Sequence, residues 1–340
     1  MKALLLALIA LLAAACGRPA LHAQESYVFG TRVEVLVWGE PGEKARAATA
    51  EVLREFDRLH RTYHAWQPSA MTALNEALAA GRAHEVTPEF AGFIREAQAM
   101  SARGDHLFDP GLGRLIELWG FHDDSFKAEL PAPEKLAALV RAKPSIADLR
   151  IDGTKVSGGD TPNTAVALDF GGYLKGVALD RAAAIFKERG IANALINIGG
   201  NVMALGSKGG TPWRVGIQHP RQPTPMATLE LRDGEAIGTS GDYQRFFEID
   251  GRRYCHLIDP RTGRPSTGAQ AVSVLIPAGF DGGRAGTWSD VASKPLFIAG
   301  DDWRGLAERL GIDHVLRVGA DGQVELTDAM RARVKLESRP

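Results

Sequence analysis

A segment in the last third of the chain combines residues that could move a proton. The stretch 254-YCHLIDPRTGRP-265 places His256 and Asp259 three positions apart at the end of a predicted strand. Two prolines fix φ in the exit loop, and its Thr-Gly pair is typical of a turn. A rigid loop can hold a histidine in the geometry that proton transfer needs. The segment indicates either a general base at His256 or a half-buried histidine beside an aspartate that caps its own turn.

A second group of polar residues follows in a predicted helix. Asp290 and Lys294 stand four positions apart, with Ser293 between them. Carboxylate and hydroxyl oxygens are the ligands that a magnesium-like cation prefers. An acid and a base at this spacing also form a simple ion pair on a helix surface. The residues alone leave both interpretations open.

Two glycine pairs could approach a ligand closely. Gly171-Gly172 precedes a predicted helix with Lys175 in its first turn, where free backbone N–H groups can bind phosphate. Neither the dinucleotide-binding pattern G-x-G-x-x-G nor a Walker loop is present. A tight turn with a solvated lysine is the alternative. Gly199-Gly200 is interpreted as a bulge or a close backbone approach within a strand.

A pair of histidines could bind zinc. His60 and His64 lie four positions apart on a predicted helix, so their imidazoles could share one ion. No third ligand is evident in the sequence. We therefore favour a solvated helix face.

The elements that must position these residues follow from hydrophobic periodicity. Val33, Val35 and Val37 alternate with polar neighbours, as in a half-buried strand. Further strands are predicted at 167–170, 194–206, 213–218, 227–234, 243–258 and 271–277, with hairpins at 148–158 and around Ala320-Asp321-Gly322. Helices are predicted at 43–64, 88–103, 132–142, 173–191, 285–300 and 302–311, with Thr87 capping the second. Helices among antiparallel hairpins predict an α+β fold rather than a doubly wound sheet.

The composition is that of an ordinary globular protein. Of 340 residues, 45% are hydrophobic and 24% are charged, which is enough to bury a sizeable core. The formal net charge of -1 provides no field of one sign that would attract nucleic acid. We therefore predict no nucleic-acid partner.

The N-terminal segment predicts export. One lysine and an apolar run fill the first fifteen residues, and Ala13-Ala14-Ala15-Cys16-Gly17 resembles a bacterial lipobox whose cysteine is acylated. The alternative is an ordinary secretory signal cut near Ala15 or Ala23. We predict a signal and tether over residues 1–24 and one domain over residues 25–340. The predicted location is the periplasm, with a lipid tether to a bacterial membrane.

Eight segments, in order from about Phe29 to Gly300, resemble the ApbE-like family of FAD:protein FMN transferases. They are Phe29-Gly30-Thr31, Tyr63 followed by Asn75, 108–121, 168–182, 195–206, 238–247, 254–265 and 290–300. The resemblance implies a T-fold-like flavin transferase architecture. It also implies an enzyme that binds FAD and, with Mg²⁺, transfers the FMN half to a threonine or serine hydroxyl of a target protein. The products would be a phosphoester and AMP.

The resemblance also assigns residues to roles. It implies His256 and Asp290 as catalytic residues, with His256 as general base near the pyrophosphate. It implies that Phe29 and Tyr63 line the flavin. The full set of residues implied for FAD binding is Phe29, Tyr63, Asp109, Asp169, Lys175, Gly199, Gly200, Ser240, Asp259 and Thr262. Metal ligands implied are the Gly172 carbonyl, Asp290 and Ser293.

Lys294 departs from the family pattern. A threonine that serves as a metal ligand usually stands four residues after the aspartate, where this chain has Lys294. An ammonium has no lone pair to give to a cation. We hypothesise that Lys294 either stands in for part of the metal charge or weakens metal binding. The alternative is a lysine that only pairs with Asp290 in a protein that has lost catalysis.

Two rival functions remain beside the transferase. One is an FAD pyrophosphatase that releases FMN and AMP, and the other is a non-catalytic lipoprotein that binds FAD in the periplasm. The transferase would need a periplasmic or membrane redox protein as FMN acceptor. It would reach the membrane through lipid on Cys16.

Overall fold

The computed structural model describes residues 20–123 and 127–337. The predicted signal and lipobox lie outside these residues. The helices within them are α1 (Gly42–Thr62), α2 (Ala70–Ala79), α3 (Pro88–Arg103), α4 (Gly113–Leu118), α5 (Pro133–Ala142), α6 (Leu174–Glu188), α7 (Ala285–Ile298), α8 (Trp303–Leu310) and α9 (Asp328–Arg331). The Thr87 hydroxyl accepts a hydrogen bond from Phe90 N at the start of α3, as predicted.

The strands fall into one large sheet and several small ones. In chain order they are β1 (Leu21–Val28), β2 (Thr31–Trp38), β3 (His84–Glu85), β4 (Arg150–Asp152), β5 (Lys155–Ser157), β6 (Ala194–Ile198), β7 (Asn201–Leu205), β8 (Trp213–Gln218), β9 (Pro225–Leu231), β10 (Ala236–Gly241), β11 (Phe246–Ile249), β12 (Arg252–Cys255), β13 (Ile258–Asp259), β14 (Arg264–Pro265), β15 (Ala269–Ile276), β16 (His314–Gly319), β17 (Val324–Leu326) and β18 (Val334–Leu336). The large sheet has the order β1-β2-β6-β7-β10-β15-β16-β17, and its neighbours pair antiparallel. This confirms the predicted α+β class.

Both faces of the large sheet are covered, because side chains alternate between two apolar cores. In β15, Val272 and Val274 belong to the core shared with the helices. Ala271 and Leu275 belong to the core shared with the three-stranded sheet β18-β9-β8. Helices α6 and α7 therefore pack on one face only. The chemistry-bearing residues of α6 and α7 lie on that face.

A third, smaller core supports the segment around His256. Its buried members are Leu112, Leu115, Trp119, Phe121, Leu136, Phe247 and Ile258. Trp119 stacks on Tyr254 with ring centroids 5.7 Å apart and donates its indole N–H to the Gly263 carbonyl at 2.7 Å. A Cβ on Gly263 would lie 2.7 Å from Val140 Cγ2, so the exit loop needs a glycine there. The loop is rigid because it is packed onto this core.

Three details of the sequence-based interpretation are corrected. Residues 167–170 contain an isolated bridge between Ala167 and Leu112 in place of the predicted strand. Gly199-Gly200 forms the two-residue turn of the β6–β7 hairpin, with φ of 58° and 94°, rather than a bulge. Residues 21–24, assigned to the tether, are paired in β1. Within the described residues, no helix is both long and apolar enough to cross a membrane.

Candidate functional site

Helices α6 and α7 approach so closely that their backbones are in contact. A Cβ on Gly176 would lie 2.6 Å from the Gly286 carbonyl oxygen, so only glycine fits in this turn of α6. Asp180, one turn further along α6, accepts hydrogen bonds from the backbone N–H groups of Gly286 and Thr287, both at 2.8 Å. Burial raises the pKa of Asp180 to about 6. These contacts fix the start of α7 against α6 and thereby set the position of Asp290.

The centre of the site is an ion pair within α7. Lys294 Nζ lies 2.7 Å from Asp290 Oδ1 and 2.6 Å from the Asp290 backbone oxygen. The Asp290 side chain is 2% exposed and the Lys294 side chain 14% exposed. Asp290 Oδ2 also accepts the backbone N–H of Gly176, 3.1 Å away in the first turn of α6. A carboxylate at a helix N-terminus is favoured by the helix dipole.

Charges and donors around Asp290 hold it ionised. Burial would raise the pKa of Asp290, but the ammonium groups of Lys294 and Lys175 and the amide of Asn201 together lower it below its usual range. The Asn201 side-chain nitrogen is buried and has no hydrogen-bond acceptor at ordinary distance among the described residues. Burial and the Lys175 charge lower the pKa of Lys294, and Asp290 opposes them. The site therefore joins one carboxylate to two neighbouring cations.

Two predicted residues lie beneath the ion pair. Ser293 donates its hydroxyl to the Asp290 backbone oxygen at 2.9 Å, and its Oγ is also 2.8 Å from Ser240 Oγ. Ser240 is 6% exposed on β10. Ser240 and Ser293 thus fasten α7 to the sheet beside Asp290.

The residues predicted to bind a metal do not fit a divalent cation as they are arranged. Two Asp290 oxygens already contact the Lys294 ammonium. The lysine stem crosses Gly172, because a Cβ on Gly172 would lie only 2.5 Å from Lys294 Cε. No group of three or more His, Cys, Asp or Glu residues in the described chain could hold a metal ion. Lys294 thus occupies the space between Gly172 and Asp290.

His256 lies near these cations, on the segment that follows β12. Its Nδ1 is 3.2 Å from the Arg245 backbone oxygen, and its backbone N–H donates to the same carbonyl at 3.1 Å. Because a carbonyl oxygen only accepts, Nδ1 carries the proton and Nε2 keeps its lone pair. Burial, and then the charges of Arg245, Lys175 and Lys294, lower the pKa of His256 to about 3. The imidazole is therefore neutral at pH 7 and can accept a proton.

Asp259 and Thr262 shape the loop and do not orient His256. The Asp259 carboxylate pairs with the Arg261 guanidinium, with Oδ2 at 2.7 Å from Nη2. The Thr262 side chain is exposed and accepts a backbone bond from Arg264 at 3.3 Å. Asp259 Oδ1 also accepts the Arg261 backbone N–H at 2.9 Å, so the carboxylate caps its own turn.

Two other predicted aspartates hold backbone loops together. Asp169 Oδ1 accepts the Gly171 N–H at 2.7 Å, which tightens the turn before α6, and burial raises the pKa of Asp169. Asp109 accepts from Gly111 N and Ile146 N, both at 2.8 Å, and from the Ser145 hydroxyl. These bonds place Asp109 between two backbone segments, and its contact with a cofactor stays a prediction. Asp169 borders the site through the same turn that carries Gly172.

Tyr63, one of two aromatic residues predicted to line the flavin, packs in the core. It is 2% exposed, its ring lies 5.0 Å from Phe90, and its hydroxyl donates to Glu89 at 2.7 Å. Phe29 is partly buried and its ring lies 5.7 Å from that of His60. Phe29 therefore lies near the surface, whereas Tyr63 is buried.

The remaining predicted residues lie at the edges of the site. The His60 and His64 rings are 5.0 Å apart, and His64 Nδ1 accepts the Trp66 N–H at 3.1 Å, so His64 caps the turn after α1. A Cβ on Gly199 would lie 2.5 Å from Thr31 Oγ1, which makes Gly199 part of the contact between two hairpin turns. Thr31 and Gly199 border a hollow of about 110 Å³ at this end of the sheet.

Three residues at the site carried no signal in the sequence. Arg245 acts on His256 through charge, Asn201 lies beside Asp290, and Asp180 fixes α7. Arg245 and Asn201 lie inside segments that resemble the family, yet their types alone indicate no chemistry. Asp180 lies one turn after Gly176 on α6, and its spacing alone does not indicate its partners on α7.

Comparisons with known proteins agree with this fold. The chain belongs to the ApbE family, whose model matches residues 29–316. An FAD:protein FMN transferase from Rhodobacter capsulatus is 41% identical over 310 residues, which is 91% of this chain and 57% of the relative. The enzyme of the same name from Klebsiella pneumoniae is 32% identical over 260 residues, covering 74% of this chain and 73% of that protein. The chain thus spans less than two thirds of the Rhodobacter relative.

Solved structures show the same architecture. The ApbE protein of Thermotoga maritima superposes with a TM-score of 0.81 at 29% identity, covering 92% of this chain and 99% of that chain. The flavin transferase ApbE of Vibrio cholerae gives 0.78 at 25% identity, covering 93% and 100%. The expected flavin transferase architecture is therefore confirmed.

Proposed function

We propose that this chain transfers the FMN half of FAD to a threonine or serine hydroxyl of an acceptor protein. The observation that carries the proposal is the His256 imidazole, whose Nδ1 is held 3.2 Å from the Arg245 backbone oxygen and whose pKa is lowered by burial and by the charges of Arg245, Lys175 and Lys294. Clustered cations suit a dianionic pyrophosphate, and an imidazole with a free lone pair suits a hydroxyl nucleophile. The names of the Rhodobacter and Klebsiella relatives support this activity.

In the proposed step, the acceptor hydroxyl oxygen forms a bond to the FMN phosphorus. The bond from that phosphorus to the bridging oxygen breaks, and AMP leaves with the bridging oxygen and its electron pair. His256 Nε2 takes the hydroxyl proton. Lys175, Lys294 and Arg245 stabilise the negative charge that develops on the phosphate oxygens. A bound pyrophosphate would offset these cations and thereby raise the pKa of His256 from about 3 towards a value suited to a base.

The location and acceptor extend the proposal. The apolar N-terminal run and the lipobox-like Ala13-Ala14-Ala15-Cys16-Gly17 support export and a lipid tether in the periplasm. A periplasmic or membrane redox protein is the corresponding acceptor. Magnesium, predicted at Gly172, Asp290 and Ser293, has no part in the step as written, because Lys294 already contacts Asp290.

Mass spectrometry of an acceptor domain tests the transfer. Incubation of the purified protein with FAD and a threonine-bearing domain of a flavin-dependent redox protein should add the mass of FMN to that domain and release AMP. His256→Ala should slow the addition by about 10²–10⁴-fold, the usual contribution of a positioned base. His22→Ala, a change on β1, is the matched control and should leave the rate unchanged. Release of FMN and AMP without acceptor modification would replace transfer with FAD hydrolysis.

A further inference from the structure

Lys294 lies at the place where a cation would have to bind. Its ammonium is 2.6 Å from the Asp290 backbone oxygen and 2.7 Å from Asp290 Oδ1. A magnesium ion requires six oxygen ligands in octahedral geometry, several of them water. Of the three Asp290 oxygens, Oδ1 and the backbone oxygen already accept from the ammonium, and Oδ2 accepts the Gly176 N–H at 3.1 Å, so each already has a donor. The cation that this site is built to hold is therefore part of the chain.

The lysine is fixed in this position by its surroundings. Its ammonium is held by two hydrogen bonds to Asp290, and its stem passes over Gly172, which has no side chain in its way. Pro295 follows directly inside α7 and has no N–H to give to the preceding turn, so the helical hydrogen-bond ladder is interrupted next to Lys294. The side chain is 14% exposed, so its charged end retains a narrow access to solvent. An ammonium held in this way offers its charge at one defined point.

The hydrogen-bonding capacity of Lys294 exceeds what Asp290 uses. An ammonium has three N–H donors, and Asp290 accepts two of them. One donor remains for an oxygen of a bound phosphate. Asn201, buried beside Asp290, has a side-chain nitrogen that lacks an acceptor at ordinary distance in the described chain. Both donors lie beside the Asp290 carboxylate.

We propose that the Lys294 ammonium replaces a divalent cation in binding the FAD pyrophosphate, so that FMN transfer by this chain needs no metal at Asp290. The inference rests on the proposed transferase function. Lys175 provides a second positive charge, and Asp290 serves to hold Lys294 in place instead of binding a metal. Replacement of Lys294 by an oxygen ligand should then turn the site into a metal site.

The first test uses the unaltered protein and needs no variant. FAD affinity, measured by quenching of flavin fluorescence, and the rate of FMN transfer are compared in EDTA and in magnesium. Both should change by less than about twofold, since the lysine supplies the charge in either condition. Loss of FAD binding or of transfer in EDTA, restored by magnesium, would overturn the proposal.

The second test uses Lys294→Thr, with Lys187→Thr on the exposed face of α6 as the matched control. In EDTA, Lys294→Thr should bind FAD about 10–100-fold more weakly, the loss expected for one charged hydrogen bond. Magnesium should restore part of this affinity and raise the Tm of the variant, because the oxygens of Asp290 and of the introduced threonine then become available. The Tm of the unaltered protein and of Lys187→Thr should not respond. A Tm increase of equal size in the unaltered protein would contradict a site already filled by lysine.

The two proposals fail in different ways. If FAD binds equally well in EDTA and magnesium but no acceptor is modified, the transferase function fails and the role of Lys294 in binding stands. If acceptor modification occurs only with magnesium, the transferase function stands and the role of Lys294 fails.

Discussion

Helices α1 and α7 each carry an aspartate and a basic residue four positions apart, yet the two ion pairs differ in almost every other respect. Asp57 and Arg61 on α1 are 49% and 78% exposed, with 2.9 Å between their charged atoms. Asp290 and Lys294 on α7 are 2% and 14% exposed, at 2.7 Å. Water screens the first pair, whereas the second interacts in a medium of low polarity. Equal spacing in sequence therefore has opposite consequences in the two helices.

The packing of the two helices explains this difference. Helix α1 buries a single stripe that includes Val52, Phe56 and Leu59, so its charged residues lie on the opposite, solvent side. Helix α7 is enclosed by the large sheet, α6 and α8, and almost every one of its residues is buried. A charge on α7 must be paired to be tolerated. A buried pair that retains access to solvent is a candidate for function.

Removal of the acidic partner from each pair gives the largest expected contrast. Asp290→Ala should lower the free energy of unfolding by about 3–5 kcal/mol, because it leaves the Lys294 ammonium buried without its partner. Asp57→Ala removes the exposed pair and should cost less than about 1 kcal/mol. Urea unfolding followed by circular dichroism measures both. Equal costs for the two substitutions would show that burial does not separate the pairs.

The sequence was sufficient for those elements whose patterns are local. The alternation of Val33, Val35 and Val37 predicted β2, and Thr87 predicted the start of α3, because each depends only on neighbouring residues. The burial of Tyr63 was not predicted, because its helix pattern cannot show that Phe90 would cover it from another helix. Residues 167–170 were apolar enough for a strand but found no strand to pair with beyond the Ala167 bridge.

For the candidate site, too, local sequence patterns predict single residues but not the contacts between them. His256, Lys175 and Asp290 were identified from motifs in separate segments, and the fold brings their charges together. The hydrogen bond between Asp180 and the start of α7 joins residues 106 positions apart, and no periodic pattern in the sequence indicates it. Lys294 was recognised as unusual, but its contact with Gly172 depends on the turn before α6 meeting α7. Contacts between distant segments are the part that local patterns cannot predict.

The pH dependence of stability offers a test of intermediate size. The pKa of His256 is lowered from 6.5 to about 3 in the folded chain, so the unfolded chain binds more protons below pH 6.5. The stability that a neutral His256 contributes is present above pH 6.5 and is lost as the pH falls towards 3. Between pH 7 and 5 this loss should reach about 1–2 kcal/mol for a half-buried ring. His256→Asn should remove that part of the pH dependence, and identical urea profiles for both proteins would contradict it.

Glycine-to-alanine substitutions on an exposed and on a buried helix face should have the smallest effects on the free energy of unfolding. Gly92 lies on the exposed side of α3, and a Cβ there would meet no atom within 4 Å. Gly92→Ala should therefore raise the free energy of unfolding by about 0.5–1 kcal/mol, since alanine loses less backbone entropy in a helix. Gly176→Ala should do the reverse, at a cost of about 1–3 kcal/mol, because the added carbon would lie 2.6 Å from the Gly286 oxygen and separate α6 from α7. Urea unfolding of both variants measures these changes, and FAD affinity is a second readout. A stable Gly176→Ala protein with unaltered FAD affinity would show that the position of Asp290 does not depend on the close contact of these helices.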